Sequence, residues 1–151
     1  MKIDKTLTIA FVALALSIIA IGAVAFPSLS PLFQRPQSTT PQTLEGCPKP
    51  PSGYLLLTAD EAGFNNSASR HTYPVITAKE GSTVYIQFCN LSTVQTFGLG
   101  IEHYLDGAVI ARPGRAMLIE FQASAAGNFT LFCPIFTTAE HYTRGVLIVK
   151  P

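Results

Sequence analysis

The 151-residue sequence contains no tryptophan, only three cysteines and three histidines, and few charged side chains. Charged residues make up 13% of it, whereas an ordinary soluble domain carries about 25%. Ten basic and nine acidic side chains leave a net charge of +1, which argues against the basic surface of a nucleic-acid-binding protein. The sequence also has no Walker loop, no G-x-S-x-G and no H-E-x-x-H motif, so nothing supports the corresponding nucleotide-binding or hydrolytic activities.

What the sequence does have is a long apolar segment near its N-terminus. Residues 7–26 carry no charge and, as a helix, would span the roughly 30 Å of a bilayer core. Lys2 and Lys5 precede this segment, so we expect a cytoplasmic N-terminus and an extracellular C-terminal domain. Residues 23–25 resemble a signal-peptide cleavage site, but the apolar segment is longer than a signal core. We therefore predict a retained single-pass anchor, residues 1–26, surrounded by lipid of the cell membrane.

Two further segments follow the predicted anchor. Residues 27–46 are rich in proline, serine and threonine, which is typical of an extended tether. Residues 47–151 suffice for one small exported domain, and short apolar or alternating runs within it predict an all-β sandwich. These runs cover residues 54–58, 74–78, 83–89, 95–101, 117–121, 128–133 and 145–149.

The cysteines and the Asn-x-Ser/Thr sequons both suit an exported domain. A disulfide between Cys47 and Cys89 would join the tether to the sheet, and a disulfide between Cys89 and Cys133 is the alternative. The sequence does not choose between these pairings. The candidate glycosylation sites are Asn65, Asn90 and Asn128.

The order of several motifs resembles two related groups of proteins. Residues 64–65 and 74–84 resemble the opening strands of cupredoxins. Residues 94–99, 112–115, 127–129 and 133–149 resemble the second half of subunit II of haem-copper oxidases, and the single anchor suits its one-helix versions. The resemblance implies a cupredoxin-like Greek-key β-sandwich preceded by one transmembrane helix.

That family holds a dinuclear copper, and the resemblance implies that this chain has lost it. The five side-chain ligand positions fall on Gln95, Cys133, Thr137, His141 and Arg144, so one thiol and one imidazole are left. A single thiolate does not bridge two coppers, and a guanidinium does not replace a thioether. The resemblance thus implies no metal, cofactor or catalytic residue on this chain.

Arginine at the last of these positions suggests a substitute for the lost metal charge. We expect Arg144 to fill the vacated pocket and to pair with Glu102 or Glu140.

Loss of the copper implies a structural and assembly role in a terminal oxidase of the aerobic respiratory chain. The chain resembles the copper-A-lacking subunit II of archaeal quinol oxidases. Haem and copper would then belong to the partner large subunit, subunit I, which would oxidise quinol with oxygen. This chain would cap the outer face of subunit I and contact other membrane subunits.

Other functions stay open at this point. One is a membrane-tethered electron-transfer protein with one copper held by His103, Cys133 and His141. Another is an exported sandwich that binds a partner. Two observations argue against this copper site. Cys133 alternates with Phe129 and Leu131, as a buried core thiol would. His103 and His141 also suit ordinary loop positions.

Overall fold

The computed structural model describes residues 41–135 and 140–151, which form an all-β domain. A one-turn helix, α1 (Ser67–Arg70), and a 3₁₀ turn (Glu140–Tyr142) interrupt the strands. The strands are β1 (Gln42–Glu45), β2 (Leu55–Asp60), β3 (Gly63–Phe64), β4 (Val75–Lys79), β5 (Thr83–Asn90), β6 (Phe97–Ile101), β7 (Leu105–Ala111), β8 (Arg115–Gln122), β9 (Gly127–Phe132) and β10 (Arg144–Lys150).

The strands form two five-stranded sheets. The first sheet has the order β1-β8-β5-β2-β3, and the second has the order β4-β10-β9-β6-β7. Each sheet is mixed, because β2 pairs with β5 in parallel and β4 pairs with β10 in parallel, whereas the other neighbours are antiparallel. The parallel pairs join strands distant in sequence, so the pattern of neighbouring segments did not predict them.

The core is a layer of apolar side chains between the two sheets. Alternation on β5 directs Ile86 and Phe88 inward, and both are fully buried, as the period of two predicts. Phe88 meets Phe64 edge to face, with ring centroids 6.0 Å apart. Burial of each such side chain contributes about 1.5–3 kcal/mol, so these aromatic residues hold the sheets together.

The structure confirms the all-β class but adds strands that the sequence did not predict. The seven predicted runs correspond to β2, β4, β5, β6, β8, β9 and β10. β1 lies within residues 27–46, which the sequence assigns to the tether, and pairs antiparallel with β8. β7 was not among the predicted runs, and its pairing with β6 shifts register between Leu99 and Ile101.

The predicted anchor, residues 1–26, lies outside the described residues, as does the tether up to residue 40. Within residues 41–135 and 140–151, no helix has both the length and the apolar character needed to cross a membrane.

Residues 46–54, here called the strap, cross the outer face of the first sheet after β1. The disulfide joins Cys47 to Cys89 on β5, which is the first of the two pairings that the sequence left open. Beneath the strap, the fully buried Gln87 donates from Nε2 to the carbonyl oxygen of Pro48 at 2.6 Å. The strap therefore explains why Gln87 and Cys89 are buried although they point away from the core.

At the other end of the strap, Tyr54 packs on Tyr85 and its hydroxyl donates a hydrogen bond to Glu120. This hydrogen bond, with desolvation and the negative charge of Glu120, raises the pKa of Tyr54 to about 12. The ordinary value is about 10. The neutral phenol is thus favoured by folding, and this contribution to stability is present below about pH 10 and lost as the pH rises through the folded pKa.

We therefore expect Tyr54 to ionise late in the folded protein. The tyrosinate absorbance of the wild type minus that of Tyr54→Phe should have its midpoint at about pH 12. The corresponding difference, Glu120→Gln minus the double variant Glu120→Gln/Tyr54→Phe, should have its midpoint closer to about pH 10. Glutamine keeps the shape of glutamate but lacks its charge. A wild-type midpoint near pH 10 while the β-sheet circular dichroism is intact would contradict this prediction.

Candidate functional site

The candidate site begins at Cys133, which follows the last residue of β9 and carries a free thiol. Its side chain shares the inward face of Leu131 and packs partly buried against the core. The sulfur accepts a hydrogen bond from the N–H of Gly98 on the adjacent strand β6, at 3.3 Å. The thiol in turn donates to the carbonyl oxygen of Ile135 at 3.5 Å. The sulfur atom is thus held in place at one end of the second sheet.

His141 lies at the same end of the β9–β10 pair. The N–H of Cys133 donates to the carbonyl oxygen of Thr143 at 3.2 Å. This hydrogen bond extends the pairing of β9 with β10 to the residue before β10 begins. His141 stands two residues earlier in the 3₁₀ turn, with an exposed side chain. Its carbonyl oxygen accepts a hydrogen bond from the hydroxyl of Tyr73 at 3.3 Å. Strand pairing therefore brings these two retained ligand positions to one region.

Gln95 lies half-buried in the loop that leads to β6. Its carbonyl oxygen accepts a hydrogen bond from Nδ2 of Asn90 at 2.8 Å. Phe97, two residues further on, precedes the glycine whose N–H reaches the sulfur of Cys133, and it is fully buried. The residue before this glycine is therefore a buried apolar ring with no atom that binds a metal.

A sequence signal for this arrangement exists in the glycines of β6. A Cβ on Gly98 would lie 3.0 Å from Cδ1 of Ile110 and 3.0 Å from Cδ of Pro134. A Cβ on Gly100 would lie 2.6 Å from the ring of Phe132. Two glycines separated by one residue thus leave room on β6 for the side chains of Phe132 and Pro134.

Arg144 does not fill a pocket at this site, and that prediction is wrong. It begins β10 opposite Phe132, and its side chain is exposed to solvent. The carboxylate of Glu102 instead accepts a hydrogen bond from the N–H of Thr130 at 3.3 Å. The physical reason is alternation, since the neighbouring Gly145 faces inward and turns position 144 outward. Thr137 and the side chain of Glu140 lie outside the described residues.

His103 is placed away from Cys133. It lies in the tight turn between β6 and β7 with φ of 71°, and its ring stacks on Phe129 with centroids 5.6 Å apart. Phe129 precedes Cys133 by four residues on an extended strand, a separation of about 13 Å. Among the side chains that the structure describes, no three of His, Cys, Asp or Glu form a group that could hold a metal ion.

The residues present therefore do not fit a mononuclear copper of the cupredoxin type. Such a site needs one thiolate and two imidazoles. Cys133 and His141 supply one of each, whereas His103 stacks elsewhere and the sulfur of Met117 on β8 accepts the hydroxyl of Thr43 at 3.3 Å. Residues 136–139 have the sequence Phe-Thr-Thr-Ala and add no imidazole, thiol or thioether.

The three sequons have different surroundings. Asn90 is only 1% exposed, and its Nδ2 donates to the carbonyl oxygens of Gln95 and Ala111. A glycan on that nitrogen is incompatible with this packing. Asn65 is half-buried, and its Oδ1 accepts the N–H of Thr58 at 2.9 Å. Asn128 is exposed on β9 and is the sequon with space for a glycan.

Asn90 joins the loop before β6 to β7, so its truncation should destabilise the domain. Asn90→Ala removes both donors and also the acceptor of the Ser92 N–H, which leaves buried polar groups unpaired. We expect a loss of about 3 kcal/mol in the free energy of unfolding. Asn128→Ala, on the exposed face, should change it by less than about 0.5 kcal/mol. Urea unfolding of both variants checks this prediction, and equal effects would contradict it.

Comparison with known proteins identifies the fold. Neither the known family models nor the curated proteins include a match to this chain. Reduced auracyanin from Roseiflexus castenholzii aligns with a TM-score of 0.52 at 18% identity, over 66% of this chain and 98% of auracyanin. Auracyanin A, a "blue" copper protein from Chloroflexus aurantiacus, aligns with a TM-score of 0.50 at 17% identity, over 64% of this chain and 98% of its own.

A larger protein contains a similar domain. The multi-copper oxidase from Pseudomonas thermotolerans aligns with a TM-score of 0.51 at 12% identity, over 64% of this chain and 29% of the oxidase. These structures are cupredoxins or contain such a domain, and the similarity at these identities concerns the fold. The described residues thus adopt a cupredoxin fold.

Proposed function

We propose that this chain is a metal-free cupredoxin-fold subunit of a membrane terminal oxidase, where it acts by binding its partners. The observation that carries the proposal is the composition of the region around Cys133. The thiol has one histidine on the neighbouring turn, and the glycine that donates to its sulfur is preceded by the buried, apolar Phe97. A domain with that composition is suited to a structural role rather than to electron transfer through its own metal.

The resemblance to subunit II of haem-copper oxidases suggests which partner this subunit would bind. Subunit II with its copper accepts electrons from a soluble donor, so an oxidase without that copper would take electrons from membrane quinol. Haem and copper would be held by the large subunit, subunit I. The predicted anchor would keep the cupredoxin domain at the outer face of the membrane, where it would cover subunit I and contact other subunits.

A mononuclear copper electron-transfer protein is the second candidate function. The fold comparisons favour this class of function, because auracyanin A is itself a "blue" copper protein. This candidate requires a second imidazole beside Cys133 and His141, and His103 is stacked on Phe129 instead.

Metal content and co-purification separate the two candidates. The full-length chain, solubilised gently from its native membrane, is analysed for copper, haem and quinol-dependent oxygen consumption. The purified chain is then loaded with Cu(II), together with Cys133→Ser and with His71→Ala as a control for adventitious binding. We expect far less than one copper per chain, no intense thiolate-to-copper absorption, and co-purification with a haem protein that oxidises quinol.

Two other results would replace this proposal. One copper per chain with an intense visible band, abolished by Cys133→Ser and kept by His71→Ala, would establish the second candidate. Absence of both copper and a haem-containing partner would exclude both candidates and leave an exported domain that binds some other partner.

A further inference from the structure

A cleft of about 350 Å³ opens on the flank of the sandwich, at the edge strands β1 and β7. It is lined by Thr43, Ile110, Arg112, Arg115 and Met117, and is here called the arginine cleft. The residues come from β1, β8 and the end of β7, so both sheets contribute to one opening. Its volume lies at the lower end of the roughly 300–1,000 Å³ typical of small-molecule sites.

The charged groups of the arginine cleft are two guanidinium groups. Arg112 directly follows β7, its side chain is exposed, and no described residue forms an ion pair with it. Arg115 forms an ion pair with Glu45, with one guanidinium nitrogen 2.7 Å from a carboxylate oxygen. A guanidinium has five N–H donors, so most of those on Arg115 stay available. Among the described residues, the cleft therefore combines one guanidinium with a single carboxylate partner and one without a carboxylate partner.

The rest of the arginine cleft is largely apolar. The side chains of Ile110 and Met117 face it, and Thr43 turns its hydroxyl toward the sulfur of Met117 at 3.3 Å. The exposed fraction of Ile110 is 44%, which is high for an isoleucine. A ligand that fits this lining has an anionic end for the arginines and an apolar stem for isoleucine and methionine.

We propose that the arginine cleft binds a small monocarboxylate with a short apolar stem. The carboxylate would bridge the guanidinium groups of Arg112 and Arg115, because planar guanidinium and carboxylate groups form paired hydrogen bonds. The stem would lie against Ile110 and Met117 and remove their apolar surface from water. This inference does not depend on the proposed function, since it rests on Arg112 and Arg115 and uses neither Cys133 nor His141.

Glu45 shows that Arg115 already binds a carboxylate. Arg115 lowers the pKa of the Glu45 carboxyl, through their hydrogen bond first and their opposite charges second. The side chain of Glu45 is 89% exposed, so it competes with a ligand only weakly. Removing its charge should free the guanidinium of Arg115 and strengthen ligand binding.

The test is a titration of the full-length chain in nanodiscs with hexanoate, followed by the amide NMR signals of the cleft residues. We expect saturable shifts in the wild type, and a Kd about fivefold weaker in Arg112→Gln. Glu45→Gln should bind about twofold or more tightly for the reason given above. Arg70→Gln, which removes an exposed arginine at the end of α1, is the matched control and should bind as the wild type does.

Two further probes separate the contribution of the negative charge of hexanoate from that of its apolar stem. Hexan-1-ol has the stem without the charge and inorganic phosphate has the charge without the stem, and both should bind more weakly than hexanoate. The proposal is overturned if Arg112→Gln binds hexanoate like the wild type, or if hexan-1-ol or phosphate matches hexanoate. It is also overturned if Arg70→Gln weakens binding as much as Arg112→Gln does, since the effect would then reflect net charge. Dispersed amide spectra of each variant show that it is folded.

Discussion

Removal of the Cys47–Cys89 disulfide is expected to lower the free energy of unfolding by about 4 kcal/mol. The bond joins residues separated by 42 positions, so it restricts a long loop in the unfolded chain. Without it, the strap is held on the first sheet by weaker contacts, such as the hydrogen bond from Gln87 to Pro48. Such a loss is comparable with the whole stability of many small domains, which is about 5–15 kcal/mol.

The measurement is urea unfolding of Cys47→Ser/Cys89→Ser, followed by β-sheet circular dichroism of the full-length chain. Cys133→Ser is the matched control because it removes the free thiol while serine can still accept the Gly98 N–H. It should lower stability by less than about 1 kcal/mol. If the double variant unfolds at the same urea concentration as the wild type, the strap does not depend on the disulfide.

Gly63→Ala is the single substitution expected to have the largest effect. Gly63 forms the start of β3 with φ of 91°, in a region that favours glycine. A Cβ there would overlap the Cβ and the carbonyl oxygen of Tyr142. Backbone strain of about 1–2 kcal/mol and overpacking of about 1–3 kcal/mol together predict a loss of about 4 kcal/mol.

Gly81→Ala separates the two causes of that loss. Gly81 has a similar φ of 79°, but nothing lies within 4 Å of the position of its Cβ. Alanine there should therefore show the strain alone, about 1–2 kcal/mol. Thermal unfolding of both variants provides the comparison, and a loss in Gly63→Ala no larger than that in Gly81→Ala would show that the contact with Tyr142 adds nothing.

The Gly63→Ala variant also tests how the candidate site is supported. Tyr142 stands between His141 and Thr143, and the carbonyl oxygen of Thr143 accepts the N–H of Cys133. Displacement of the 3₁₀ turn should weaken that hydrogen bond. Faster hydrogen exchange at the Cys133 amide in Gly63→Ala, but not in Gly81→Ala, would show that β3 positions this turn.

Most strands were predictable because their patterns are local. Alternation on β5 and β8, with turns at glycine and proline, depends on residues close in the chain. β1 escaped prediction because its four residues become a strand only by pairing with β8, more than seventy positions away. The burial of Gln87 was likewise unpredictable, since the strap that covers it comes from a different part of the chain.

The residues of the candidate site were predictable from the sequence, but their positions relative to one another were not. The resemblance to subunit II already implied that only one thiol and one imidazole, those of Cys133 and His141, stand at the ligand positions of that family's dinuclear copper. Motif order placed Gln95 at the upstream ligand position, whereas the packing of β6 beside β9 brings the N–H of Gly98 to the sulfur of Cys133. His103, the third ligand of the mononuclear copper alternative, lies in the turn after β6 and stacks on Phe129 instead.

By itself, the sequence determined that this protein has an all-β domain with few charged side chains. Those properties follow from side-chain period and composition, which need no knowledge of long-range contacts. The tertiary structure decided which cysteines form the disulfide, which N–H reaches the sulfur of Cys133, and that Arg112 and Arg115 share a cleft. Each of these depends on the register between strands distant in sequence, and a shift of one residue would turn every side chain to the opposite face.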